Sequence, residues 1–169
     1  MLTLVSELEV LIATAVWLHK NSWAIESISI AKGRGLSPIE QQKEQVRQEL
    51  AIANVPLDDT MFKPRGPDIV ARSEECIWNF ECKGLGNGAP QTHKNSFDRA
   101  VASVVSYYDS PQIRLGLALA GDYLCVYNFA DKLPQSLREA INLWVFSVEN
   151  QEAYPYEPSD YLPYPGMND

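Results

Sequence analysis

The sequence predicts an α/β domain with helices on both sides of a mixed central sheet, in three layers. Three observations carry this. Apolar residues recur at helical spacing in separate stretches, around 4–19, 37–53 and 96–108. Between and after them lie short runs rich in Ile, Val, Leu and Trp, of strand length. Two of these runs flank the polar break Ser73-Glu74-Glu75-Cys76 and suit an antiparallel hairpin. A helix separates the second of them from the apolar run Ile113 to Ala120, which is how a parallel pair is made.

In residues 4–19 the helical stripe is Leu4, Leu8, Leu11, Ala15 and Leu18, widened by Ile12 and Val16. Glu7 and Glu9 lie near its start, where the helix dipole favours acids. Asn21-Ser22 breaks it. Trp23 to Ala31 reads as a strand, with a face pattern that does not decide which side is buried. Lys32-Gly33-Arg34-Gly35 is a basic turn suited to approaching a phosphate backbone. Ser37-Pro38-Ile39-Glu40 opens a second helix, with Ser37 as N-cap, Pro38 in the first turn and Glu40 completing a capping box. It runs to about Ala53 and lies on the surface, with Ile39, Val46, Leu50 and Ala53 inward. Residues 54–64, broken by Pro56 and Pro64, form a connecting loop.

The hairpin follows. If its turn closes symmetrically on Glu74-Glu75, Ile69 faces Phe80, Val70 faces Asn79 and Asp68 faces Glu81. A period of two puts Trp78, Phe80 and Cys82 on one face, continued by Ile69 and Ala71, and this face should be buried. Ile77, Asn79, Glu81 and Lys83 occupy the other. Two carboxylates directly opposite on neighbouring strands repel. They must share a proton, share a cation or lean on a positive group such as Lys83. A Mg²⁺ ion, which takes one or two carboxylates and completes its octahedron with other oxygens, fits Asp68 and Glu81, with the Cys82 backbone carbonyl as a third ligand.

Gly84 to Pro90 is a glycine-rich loop past the end of this strand: a long crossover, or a segment that closes over substrate. His93 is a candidate general base, although a lone loop histidine more often reads as an ordinary surface residue. Ser96 to Tyr108 is a helix with Phe97, Val101, Val104 and Tyr108 inward, expected to pack on the Trp78/Phe80/Cys82 face; Arg99 lies near its start. Ile113 to Ala120 is a buried strand parallel to the preceding one. Residues 123–129 are ambiguous between strand and helix, Pro134 to Asn142 is a helix, and Leu143 to Val148 a strand. The domain is expected to span 1–150, followed by an extended Pro/Tyr-rich tail at 151–169.

At 169 residues the chain is long enough for one domain with a substantial core. No apolar run reaches the roughly 18 residues of a membrane span, and the N-terminus lacks the basic region of a signal peptide. Cys76, Cys82 and Cys125 show no CxxC spacing, which suggests reduced thiols in a cytoplasmic protein. The net charge of −8 weighs against nucleic acid, since phosphate binding draws on Lys and Arg. The basic residues are nevertheless grouped, with Lys32 and Arg34, Lys63 and Arg65, and Lys94 and Arg99 near the hairpin in sequence, and none after Arg138.

Pro67-Asp68, a 12-residue gap, then Glu81-Cys82-Lys83 resembles the signature of the PD-(D/E)xK nuclease superfamily, with its restriction-endonuclease-like fold. The resemblance covers roughly residues 4–120. It implies Mg²⁺ (or Mn²⁺) held by Asp68 and Glu81, a water served by Lys83, and a first-helix glutamate at the site, with Glu9 slightly better placed than Glu7; Gln91 and Lys94 stand where some members carry a Gln or Lys that contacts the water or the phosphate. It implies a DNA endonuclease and, since many members pair up to cut both strands, a homodimer. The alternative is a catalytically inactive module of the same fold, acting as an interaction or specificity subunit.

Overall fold

The computed structural model describes residues 4–32 and 37–163. Gly33, Arg34 and Gly35 of the basic turn, and the last six residues of the tail, lie outside them. The described residues form a mixed seven-stranded sheet in the order β2-β1-β3-β4-β5-β6-β7. Its strands are β1 (Ala24–Ser29), β2 (Phe62–Lys63), β3 (Ile69–Arg72), β4 (Ile77–Lys83), β5 (Ile113–Ala120), β6 (Leu143–Glu149) and β7 (Glu152–Tyr156). The helices are α1 (Glu7–Lys20), α2 (Ile39–Ile52), α3 (Pro90–Ser106), α4 (Asp122–Cys125) and α5 (Gln135–Ala140). None of the helices in the described residues is long and apolar enough to cross a membrane.

The hairpin register is the expected one: Ile69 pairs with Phe80 and Val70 with Asn79. β4 then runs parallel to β5, and β5 to β6, each through a helical crossover. Trp78, Phe80 and Cys82 are fully buried, as are Ile69 and Ala71. β5 and β6 are buried on both faces over most of their length, which explains their nearly continuous apolar runs.

α1 covers the Trp78/Phe80/Cys82 face. Trp17 meets Trp78 edge-on at 6.1 Å and Phe146 at 4.9 Å, and α2 packs beside α1 through Val46 and Leu50. Paired residues on parallel strands share a face, so Gly116, opposite Phe80, lies under the Phe80 ring. A Cβ there would sit 2.3 Å from that ring, so only glycine fits.

Several expectations need correction. α3 packs on the opposite face from the one expected, over Glu81, where its C-terminal Tyr107 reaches the strand. The apolar face was already filled by α1, and β4 and β5 join by a crossover whose helix lies on one side only. α3 also starts at Pro90 rather than Ser96, because a proline is tolerated in a helix's first turn. α1 starts at Glu7, capped by Ser6, which leaves Leu4 exposed outside it. α2 starts at Ile39 with no side-chain cap; instead Gln42 donates from Nε2 to the Ser37 carbonyl at 2.7 Å. A register shift between Ile25 and Ser27 breaks the alternation of β1, which is why its buried face was not readable. The segment after 150 is not wholly a tail, since β7 closes an antiparallel hairpin on β6 through Asn150 and Gln151, both at positive φ.

Candidate functional site

The site lies at the end of the sheet where β4 finishes and β3 begins, beside the carboxyl ends of the parallel strands. Crevices at such ends are where open α/β sheets bind ligands. Gly66, at φ 112°, turns the chain into Pro67-Asp68. The Asp68 backbone then bonds on both sides, donating to the Phe80 carbonyl at 2.9 Å and accepting from Ser29 N at 3.0 Å. Its carboxylate accepts from the Cys82 amide at 2.8 Å, which fixes one oxygen. Burial, then the facing Glu81, push the Asp68 carboxyl up to about 8 from its ordinary value.

Glu81 leaves β4 on the α3 side. Tyr107 donates its hydroxyl to Glu81 Oε2 at 2.7 Å. Burial raises the Glu81 carboxyl, and the Tyr107 bond opposes part of that rise. Burial and the bond to Glu81 push the Tyr107 phenol far up, so it stays a donor. The neighbouring Cys82 thiol is fully buried, and burial holds it well above the ordinary thiol range.

Lys83 does not reach the two acids as an ion-pair partner. Its Nζ pairs with Glu7 Oε2 at 2.7 Å. Gly84 makes this contact possible: a Cβ there would lie 2.2 Å from Glu7 N, against backbone. Val5 and Leu85 exchange backbone hydrogen bonds at 3.1 and 2.7 Å and lock the start of α1 across the end of β4.

The preference for Glu9 over Glu7 is therefore corrected. Glu9 accepts from Ser6 N at 2.7 Å, and Ser6 Oγ accepts from Glu9 N at 3.1 Å, a closed capping box. The signal was present as Ser6-x-x-Glu9, the spacing of that box. Tyr107 is the residue that sequence reasoning missed. It sits one position before the Tyr108 assigned to the apolar stripe, and only the side on which α3 packs reveals it.

The other candidates lie elsewhere. Gln91 bonds to Asn95, Lys94 pairs with Asp98, and Arg99 is exposed. His93 is buried rather than on the surface: its Nε2 reaches the Gly86 carbonyl at 3.0 Å and its Nδ1 the Tyr127 hydroxyl at 2.9 Å. A carbonyl only accepts, so Nε2 carries the proton. The glycine-rich segment is thus tied down at Leu85 and at Gly86.

Among the described residues no group of three or more His, Cys, Asp or Glu side chains gathers to hold a metal ion. The donor set of Asp68 and Glu81 is two hard carboxylates, the number that Mg²⁺ takes when waters or phosphate oxygens complete its shell. No family model, no curated protein and no solved structure matches this chain.

Proposed function

We propose that this chain is a Mg²⁺- (or Mn²⁺-) dependent phosphodiester hydrolase acting on DNA. One observation carries the reading: Asp68, just before β3, hydrogen-bonds on either side of Glu81, to Phe80 and Cys82, so the two acids share one part-buried place where each is pushed above the ordinary carboxylate range. Such a pair has unmet demand for positive charge. Asp68 and Glu81 would hold the metal, with the Cys82 carbonyl as a further oxygen. When bound, a divalent ion supplies charge neutralisation and polarises a phosphoryl oxygen.

The chain's own groups do the rest. The Cys82 amide and the Tyr107 hydroxyl each fix one carboxylate oxygen, which orients the remaining lone pairs. Glu7 holds the Lys83 amine at the rim, where it orients the attacking water and stabilises charge developing on phosphate. A cytoplasmic location and a homodimer go with this reading.

The test is a Mg²⁺ or Mn²⁺ titration followed by thermal melting. At a hundredfold excess over Kd, the ion should stabilise the protein by about 2.7 kcal/mol. Asp68→Asn should lose that response. Asp68→Ala and Lys83→Ala should each lose DNA cleavage while keeping a folded spectrum, and cleavage retained in either would reject the assignment. A second reading, a non-catalytic interaction or specificity subunit, is favoured by the net charge of −8. It requires that metal leave the melting temperature unmoved.

A further inference from the structure

Two cavities meet beside the acid cluster. The first, of about 200 Å³, has Glu7 and Asp68 in one wall and an apolar lining of Leu8, Leu11, Ile30 and Ala31. Its remaining polar groups include Ser29 and Gln45. Ser29 Oγ is spent on the Arg65 carbonyl. Gln45 donates from Nε2 to Glu49, and its amide oxygen makes no hydrogen bond among the described residues. The second cavity, of about 280 Å³, shares Ile30 with the first and is lined by Lys32, Lys43 and Lys63 and by Glu40, which pairs with Lys43 at 3.1 Å.

The two differ in the chemistry they accept. Sites for drug-sized ligands run to roughly 300–1,000 Å³. The first cavity is smaller, so it suits one flat ring system rather than a whole nucleotide. Apolar walls with an amide at the rim match a heterocycle with greasy faces and hydrogen-bonding edges; Gln is a standard reader of base edges. Three lysines against one glutamate leave the cleft net positive, which matches a phosphate backbone. A base reaches such a cavity only when it is unpaired, because a paired base is held inside its stack.

We propose that the first cavity takes one unpaired base of single-stranded DNA, while an adjoining phosphate lies in the lysine cleft. This rests on the nuclease reading of Asp68 and Glu81 and adds to it a substrate class: single strands or splayed ends rather than intact duplex. Placing the base against Leu8 and Ile30 sets the nucleotide's own phosphate next to Asp68.

The probe is a single-stranded oligonucleotide carrying one 2-aminopurine, whose emission rises when the base leaves its stack. Binding is measured with Ca²⁺ present to neutralise the carboxylates. The intact chain should raise the emission, and duplex of the same sequence should bind at least tenfold more weakly. Ala31→Phe fills the cavity from an exposed position. It should abolish the rise and lower affinity about tenfold, to the level the intact chain shows for an oligonucleotide with an abasic site at that position. Gln45→Leu, at a second exposed position, should lose several-fold in affinity. Lys63→Ala should bind more weakly for every sequence, and lower the salt slope by about 0.7. An unchanged emission rise in Ala31→Phe, or equal affinity for base-bearing and abasic strands, overturns the proposal. The metal melt reads the acid cluster separately. Metal stabilisation without base dependence removes the pocket and keeps the nuclease reading. Base dependence without metal stabilisation does the reverse.

Discussion

At the start of β4 one cation sits among indole rings; at its end one amine pairs with one acid, and two further acids face each other. Arg114 lies opposite Trp78, with its guanidinium 4.6 Å from the Trp78 ring, 4.7 Å from Trp144 and 5.2 Å from Trp23. Its Nε is buried and without a hydrogen-bond partner, as is Trp78 Nε1. Ring faces answer that charge, and they need neither proton nor counter-ion. Five residues along, Lys83 pairs with Glu7, which leaves Asp68 and Glu81 facing each other. The first end is complete as folded. The second leaves two carboxylates raised above the ordinary range and open to a proton or a cation, and the proposed function rests on that asymmetry.

Four measurements would sharpen or break that contrast. The largest effect belongs to the aromatic end. Trp78→Ala should cost about 3–5 kcal/mol, seen as a lower denaturation midpoint, because the fully buried ring packs against five aromatic neighbours, Trp17 of α1 among them. Any stabilisation by metal should survive it.

The acid end should instead show itself in pH. Asp68 is near 8 in the folded chain, against an ordinary 3.8. Between those values the folded state keeps a proton that the unfolded state has lost. Stability is therefore full below about pH 4, falls as pH rises and reaches its floor above about pH 8. The slope approaches ~1.4 kcal/mol per pH unit for one proton. Glu81 is raised too and adds in the same direction. Asp68→Asn should flatten the fall, and metal at pH 8 should restore what was lost. A metal-free protein that gains stability over this range would contradict the geometry.

Tyr107→Phe removes a hydrogen bond to a charged group and should cost about 1.5–3 kcal/mol, with weaker metal affinity by calorimetry. Smallest is Arg114→Met, about 0.5–2 kcal/mol, with no change in metal response. An equal metal response in Tyr107→Phe and Arg114→Met would erase the distinction between the two ends.

Much of this was legible in the residues. The symmetric turn at Glu74-Glu75 set the hairpin register, and the strict alternation from Ile77 to Lys83 named the buried face correctly. Both are local properties of one strand pair. What was not legible depends on the other layers. Which helix covers which face is a matter of connection handedness and competition for space, so α3 was placed on the wrong side and Tyr107 was overlooked. Glu7 reaches Lys83 only because Gly84 lets backbone approach backbone, a contact between segments 77 residues apart that no spacing rule reports. Glu9 was readable as a cap, and dipole reasoning alone hid it.

The indole cluster has an optical consequence. The chain contains four tryptophans, and Trp17, Trp23 and Trp144 all touch Trp78. Tryptophan fluorescence, excited apart from that of the eight tyrosines, therefore reports from a single cluster at the start of β4. Emission should follow global unfolding faithfully and stay still while the acidic end fills, so a quiet spectrum beside a rising melting temperature would mark binding at the opposite end of β4.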